Sequence, residues 1–169
     1  MNSMALNPLY ETMETLLEQH ERMLELSEQK KQAIIRNEVN RLTEITTKES
    51  RLLKLISDTE RQRRQNVEEY YLSKGLKPNP EATVSGIVQL ETNPREKTKL
   101  ANLGERLVES VNRLKQLNEL NMQLLKQAIE FNDFSLDLLS GSDEQDMIYK
   151  PPANQTGYGG GARLFDSRA

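Results

Sequence analysis

From Pro8 to about Arg36 the apolar residues recur at three- and four-residue steps. Leu9, Met13, Leu16, Met23 and Ile34 make a stripe, and Leu17, Leu24, Leu26 and Ile35 widen it. That is the period of an amphipathic helix, with a start at Asn7 and Pro8, because Asn caps well and Pro needs no amide partner in a first turn. The pattern lapses at Asn37 and Glu38, then resumes with Val39, Leu42, Ile45, Leu52, Leu53, Leu55, Ile56, Val67 and Tyr70. Gly75, which can turn left-handed without strain, is the expected stop of this second helix at about 39–74. So short a break between two long periodic segments predicts an antiparallel hairpin, with a single kinked helix as the other option.

Pro78, Pro80, Gly86 and Pro94 punctuate a connector over 75–94 that holds one small apolar group, Val84, Ile87, Val88 and Leu90, expected as a helical turn or two within a loop. A third helix is predicted over 95–139, with Leu100, Leu103, Leu107, Val111, Leu114, Leu117, Leu124, Leu125, Ala128, Phe131 and Phe134 along its inner side. Gly104 weakens it by about 1 kcal/mol relative to Ala. At 1.5 Å per residue this helix is about 70 Å long and the first only about 45 Å. If the connector returns the chain to the Gly75 end, the third helix overruns the Asn37 turn. Its last portion, with Leu124, Leu125, Ala128, Ile129, Phe131, Phe134, Leu136, Leu138 and Leu139, is too apolar to stand alone in water. A partner covers it, or a second copy does, or the helix breaks near Asn132 and folds back.

After Ser140 the composition shifts to Gly, Ser, Pro and Asn, which predicts a flexible, disordered tail over 141–169 behind a helical domain at 1–140. The expected fold is therefore all-α: an elongated antiparallel three-helix bundle, or coiled-coil hairpin, with a long third helix. Composition agrees, since 36% hydrophobic residues, 29% charged residues and no Trp suit thin helical layers better than a thick core. The absence of Cys excludes disulfides, thiolate catalysis and Cys-ligated metals, and makes the cytoplasm the expected compartment. A net charge of −3 with well-mixed signs speaks against nucleic acid and anionic membrane as partners. Met1 to Tyr10 lacks the basic and apolar segments of a secretion signal, and no run reaches membrane-spanning length, so no stable membrane insertion is expected.

Candidate chemistry is sparse. His20 is the one histidine and falls in a helix seam with no second ligand beside it. Glu11, Glu14, Glu18, Glu21, Glu25 and Glu28 are spaced as the outward face of the first helix rather than as a cation site. Arg61, Arg63 and Arg64 form a tight basic cluster among acids, better suited to a salt-bridged surface than to phosphate. Gly157 and Gly159 to Gly161 mimic a phosphate loop, yet Pro151 and Pro152 precede them and no strand or helix is expected on either side. No set of nucleophile, base and orienter can be assembled, so no catalytic residues, metal ligands or cofactor site are expected, and the protein is not expected to be an enzyme. Asn118 and Asn121 are more informative, for they interrupt the Leu-rich text LKQLNELNMQLLKQAIEF on one face. Either they flank the stripe and meet water, or they hydrogen-bond to a partner segment.

Several features together resemble the FlgN family of flagellar export chaperones in its Gram-positive form. They are the text MLELSEQKKQAIIRNEVNRLTEITTKESRLL from Met23 to Leu53, the pair Glu60 and Arg61, the apolar connector from Val84 to Leu90, the pair Asn118 and Asn121, and the terminal LFDSRA from Leu164 to Ala169. The resemblance covers nearly the whole chain. It implies a cytoplasmic chaperone that binds the C-terminal helical segments of the hook-associated proteins FlgK and FlgL, and delivers them through the export gate protein FlhA. The expected client-binding residues are Leu114, Leu117, Asn118, Asn121, Leu124, Leu125, Ala128 and Phe131, acting by helix-in-groove recognition. Tyr149, Tyr158, Leu164 and Phe165 are candidate contacts to the export gate. The alternatives are a structural coiled-coil scaffold closing as a homodimer, and a regulator that sequesters its target by helix pairing.

Overall fold

Burial, more than the Asn7 and Pro8 signal, sets the start of the first helix. In a computed structural model of the chain, which describes residues 3–77 and 82–147 with side chains over 5–77 and 82–141, helix α1 spans Ser3–Ile35 and carries Pro8 inside it. The expected start at Pro8 is thus one turn and more too late. Leu6, Leu9 and Tyr10 are all buried, and the apolar area gained offsets the one amide that proline cannot donate. The Pro8 carbonyl is not wasted, since it accepts from Thr12 Oγ1 at 2.7 Å and from Asn66 Nδ2 at 3.0 Å.

Helix α1 ends in a tight left-handed turn. Asn37 has φ +56°, its amide reaches the Ile34 carbonyl at 3.1 Å, and the Glu38 amide reaches the Ala33 carbonyl at 2.9 Å. This pair of bonds is a Schellman closure, which satisfies carbonyls the helix would otherwise leave open. Helix α2 spans Val39–Ser73 and ends the same way: Gly75 at φ +72° bonds the Leu72 carbonyl at 2.9 Å, and the Leu76 amide bonds Tyr71 at 3.0 Å. Between the two turns the helices run antiparallel. Thr12 pairs with Asn66 at 2.6 Å, Gln19 with Thr59 at 3.0 Å and Lys30 with Glu49 at 2.9 Å, so numbers rise on one helix as they fall on the other. The segment is a hairpin and not one kinked helix.

The connector's apolar group folds as α3, Val84–Leu90, capped by Thr83, whose Oγ1 accepts from the Gly86 amide at 3.1 Å. Gly86 lies against the Tyr71 hydroxyl, which a Cβ there would strike. Ile87 is fully buried in a cluster with Leu6, Leu9, Tyr10, Met13, Val67, Tyr70, Leu100 and Leu103. Glu91, itself buried, closes this end: it accepts from Tyr70 Oη at 2.8 Å and from the amides of Thr92 and Asn93 at 3.0 Å each.

Helix α4 then runs from Pro94 to Met147, without a break near Asn132 and past the expected end at 139. It lies parallel to α1, since Tyr10 bonds Glu96 while Ser27 bonds Asn118 and Asn121. Four helices and no strand are present among the described residues. The chain divides into two compact units, Met1–Glu130 and Phe131–Ala169. Residues 148–169, most of the expected flexible tail, lie outside the described residues.

Candidate functional site

The residues expected to bind a partner sit on α4, whose inner positions follow a heptad. Leu100, Leu107, Leu114, Asn121, Ala128 and Ser135 alternate at three and four residues with Leu103, Ser110, Leu117, Leu124, Phe131 and Leu138. In the first unit every one of these positions is buried or half-buried through Ala128. α1 provides the cover. From the contact of Ser27 with Asn121, the last residue of α1, Ile35, falls level with about residue 129 of α4. In the second unit Phe131 and Leu138, in the same register, are 69% and 61% exposed.

A groove of about 430 Å³ opens between α1, α2 and α4, lined by Met23, Lys30, Leu53, Leu114, Asn118, Asn121, Met122 and Leu125 among others. Four of the expected client-binding residues therefore line one groove: Leu114, Asn118, Asn121 and Leu125. Leu117, Leu124 and Ala128 are half-buried in the seam but do not line it, and Phe131 belongs to the second unit. The asparagines are engaged within the chain. Asn121, 3% exposed, donates Nδ2 to the Ser27 carbonyl at 2.8 Å, and Asn118 Oδ1 accepts from Ser27 Oγ at 3.3 Å. Asn121 Oδ1 is buried with no partner among the described residues. Tyr149, Tyr158, Leu164 and Phe165 lie outside the described residues.

Sequence reasoning missed a larger groove of about 910 Å³, lined by Arg63 of α2, Val84 and Val88 of α3, and Ala101, Gly104, Leu107 and Val108 of α4 among others. The signal was available in Gly104, read only as a weak point; nothing lies within 4 Å of a Cβ placed there. The polar chemistry around the first unit's core is structural. Burial, then the hydrogen bond to Glu96, pushes the Tyr10 hydroxyl well above the ordinary tyrosine range. Burial and the bond to Glu91 do the same for Tyr70. For Glu91 itself burial pushes the carboxyl up, but the Asn93 amide, Tyr70, Lys74 and the Thr92 amide outweigh it and hold the group below the usual carboxylate range.

His20 directs Nδ1 to the Leu16 carbonyl at 2.7 Å. Glu11, Glu14, Glu18, Glu21, Glu25 and Glu28 are all exposed. Arg63 pairs with Glu60 at 2.6 Å, Arg64 with Glu60 at 3.5 Å and Arg61 with Asp58 at 3.9 Å, which makes the basic cluster a salt-bridged helix surface. Among the described residues no group of three His, Cys, Asp or Glu could hold a metal, and no helix is long and apolar enough to cross a membrane.

Long amphipathic helices with grooves between them define the class, an all-α protein. The family model described as FlgN protein matches residues 1–157, and the chain belongs to the FlgN family, which points to a flagellar export chaperone. A Bacillus subtilis (strain 168) protein that carries the name uncharacterized protein YvyG is 30% identical over 166 residues, 98% of this chain and 100% of its own. No solved structure matches the chain.

Proposed function

We propose that this protein is a cytoplasmic, non-enzymatic chaperone of flagellar type III export. It binds the C-terminal helical segments of the hook-associated proteins FlgK and FlgL and delivers them to the gate protein FlhA. Family membership supports the pathway; the observation that carries the client-binding step is the α4 seam, covered through Ala128 and bare at Phe131 and Leu138. In this reading α1, α2 and α4 of the first unit form an antiparallel three-helix bundle, and Leu114 and Leu125 in its groove receive the client's apolar face, with Leu117, Leu124 and Ala128 half-buried in the seam behind them; Phe131, exposed on the second unit, offers a further apolar contact. In the same reading Asn118 and Asn121, bonded to Ser27, hold α4 in register beside the groove that takes the client. Tyr149, Tyr158, Leu164 and Phe165 are proposed to contact the gate.

The test is calorimetry of the purified protein against C-terminal fragments of FlgK and FlgL, with sedimentation of the protein alone. Saturable binding of at least one fragment is expected. A tight dimer without any fragment binding would favour the structural scaffold instead.

A further inference from the structure

Beyond Ala128, α4 carries two stripes at helical spacing. Phe131, Phe134 and Leu138, at i, i+3 and i+7, are all more than half exposed. Asp133 and Asp137 stand one residue ahead of Phe134 and Leu138, so a stripe of exposed carboxylates runs along the flank of the apolar one. The surrounding charge is one-sided. Between Lys126 and Lys150 the chain has no Lys, Arg or His, while Glu130, Asp133, Asp137, Asp143, Glu144 and Asp146 all fall there. Glu130, at the start of this stretch, pairs with Lys126, whereas on α1 and α2 exposed pairs such as Lys31 with Glu28 and Arg41 with Glu38 mix the signs.

This imbalance selects the occupant of the bare stripe. An antiparallel second copy laid on residues 131–138 would bring this carboxylate flank against itself, and like charges at such positions repel. An anionic lipid surface is disfavoured for the same reason, since interfacial helices hold to it with Lys and Arg. A helix with an apolar stripe flanked by Lys or Arg fits both features at once: its Leu- or Phe-sized side chains cover Phe131, Phe134 and Leu138, and its cations meet Asp133 and Asp137. We propose that residues 131–138 dock a basic amphipathic helical segment of a partner protein. The inference takes the client's identity from the chaperone reading, but not its charge.

The test uses the full chain and two synthetic helical peptides with the same Leu stripe, one flanked by Lys and the other by Glu, followed by fluorescence anisotropy. At low salt the Lys-flanked peptide should bind about tenfold more tightly, from two or more ion pairs acting beside an apolar contact. The gap should close at about 0.5 M salt, where screening shortens to a few ångströms. The exposed double substitution Asp133→Lys and Asp137→Lys should reverse the preference, with an unchanged circular-dichroism melting curve as the control for folding. Equal binding of the two peptides by the parent, or a Lys preference that survives the double substitution, overturns the proposal. So does a parent dimer that the Lys-flanked peptide cannot dissociate. FlgK and FlgL fragments separate the two readings. If parent and charge-reversed protein bind them equally, the charge inference fails and the chaperone reading stands; if the parent prefers the Lys-flanked peptide yet ignores both fragments, the reverse holds.

Discussion

Asn121 on α4 donates to the main-chain carbonyl of Ser27 on α1, 2.8 Å away, within a seam made mostly by Leu. A polar residue at such a position costs stability and fixes register, because a shift along the helix leaves its amide buried without a partner. Asn121→Leu should therefore keep or raise the melting temperature while loosening the alignment of α4 on α1. The chain has no Cys, so spin labels can be placed at single introduced cysteines, for example at the exposed positions Glu11 and Glu119. The parent should give one narrow distance; the variant should add a population displaced by about 10 Å, one heptad. A single unchanged distance would show that the apolar seam sets register without Asn121.

Glu91 gives the first unit an acid-sensitive contact. Its carboxyl is held below the usual range in the fold, so the stability it contributes is fully present above the unfolded-state value near pH 4.3 and is lost as pH falls through the lower folded value. Glu91→Gln removes the charge and leaves one acceptor oxygen where the carboxylate uses two, one for the Tyr70 hydroxyl and one for the Thr92 and Asn93 amides. It should lower stability at pH 7 by about 1–3 kcal/mol. Between about pH 5 and pH 3 the difference between parent and variant should shrink, as followed by urea melts at each pH. A constant difference across that range would mean that the carboxylate's charge does nothing at this place.

The hairpin, the helical connector and the Leu positions of α4's inner face were legible because each rests on local signals: a 3.6-residue period, a Gly that can turn left-handed, and Leu spaced for a seam; Val111, Phe131 and Phe134, expected on the same inner side, are exposed. Pro8 misled because its cost is local while the gain from Leu6, Leu9 and Tyr10 comes from α2, α3 and α4. Asn118 and Asn121 were legible as unusual but not as bonded to Ser27, a residue more than ninety positions earlier that no periodicity marks out. Gly104 hinted at open space on α4, but the larger groove itself was not legible, since α3, α4 and Arg63 meet only once the connector has folded back.

The two left-handed turns should respond differently to substitution. Asn37 holds φ +56° with a side chain, whereas Gly75 holds φ +72° with none. Asn37→Gly should be neutral or slightly stabilising, while Gly75→Ala should cost about 1 kcal/mol, with thermal melts measuring both. A loss at Asn37→Gly as large as at Gly75→Ala would indicate that the Asn37 side chain, not its backbone angle, closes the turn.

Leu103 and Leu125 separate folding from binding on one helix. Leu103 is 7% exposed in the cluster with Leu6, Leu9, Tyr70 and Ile87, so Leu103→Ala should cost about 2–5 kcal/mol of stability and leave client affinity nearly intact in the folded fraction. Leu125 is only half-buried and lines the groove beside Met23 and Leu114. Leu125→Ala should lower the melting temperature little, because that side chain has less cover to lose. It should weaken binding of a FlgK or FlgL C-terminal fragment by about tenfold, the worth of one Leu-sized contact completed by the client. Calorimetry and melting curves on both variants make the comparison. If Leu125→Ala binds the fragment as the parent does while melting much lower, this groove is part of the core, and the client must be held elsewhere on the protein.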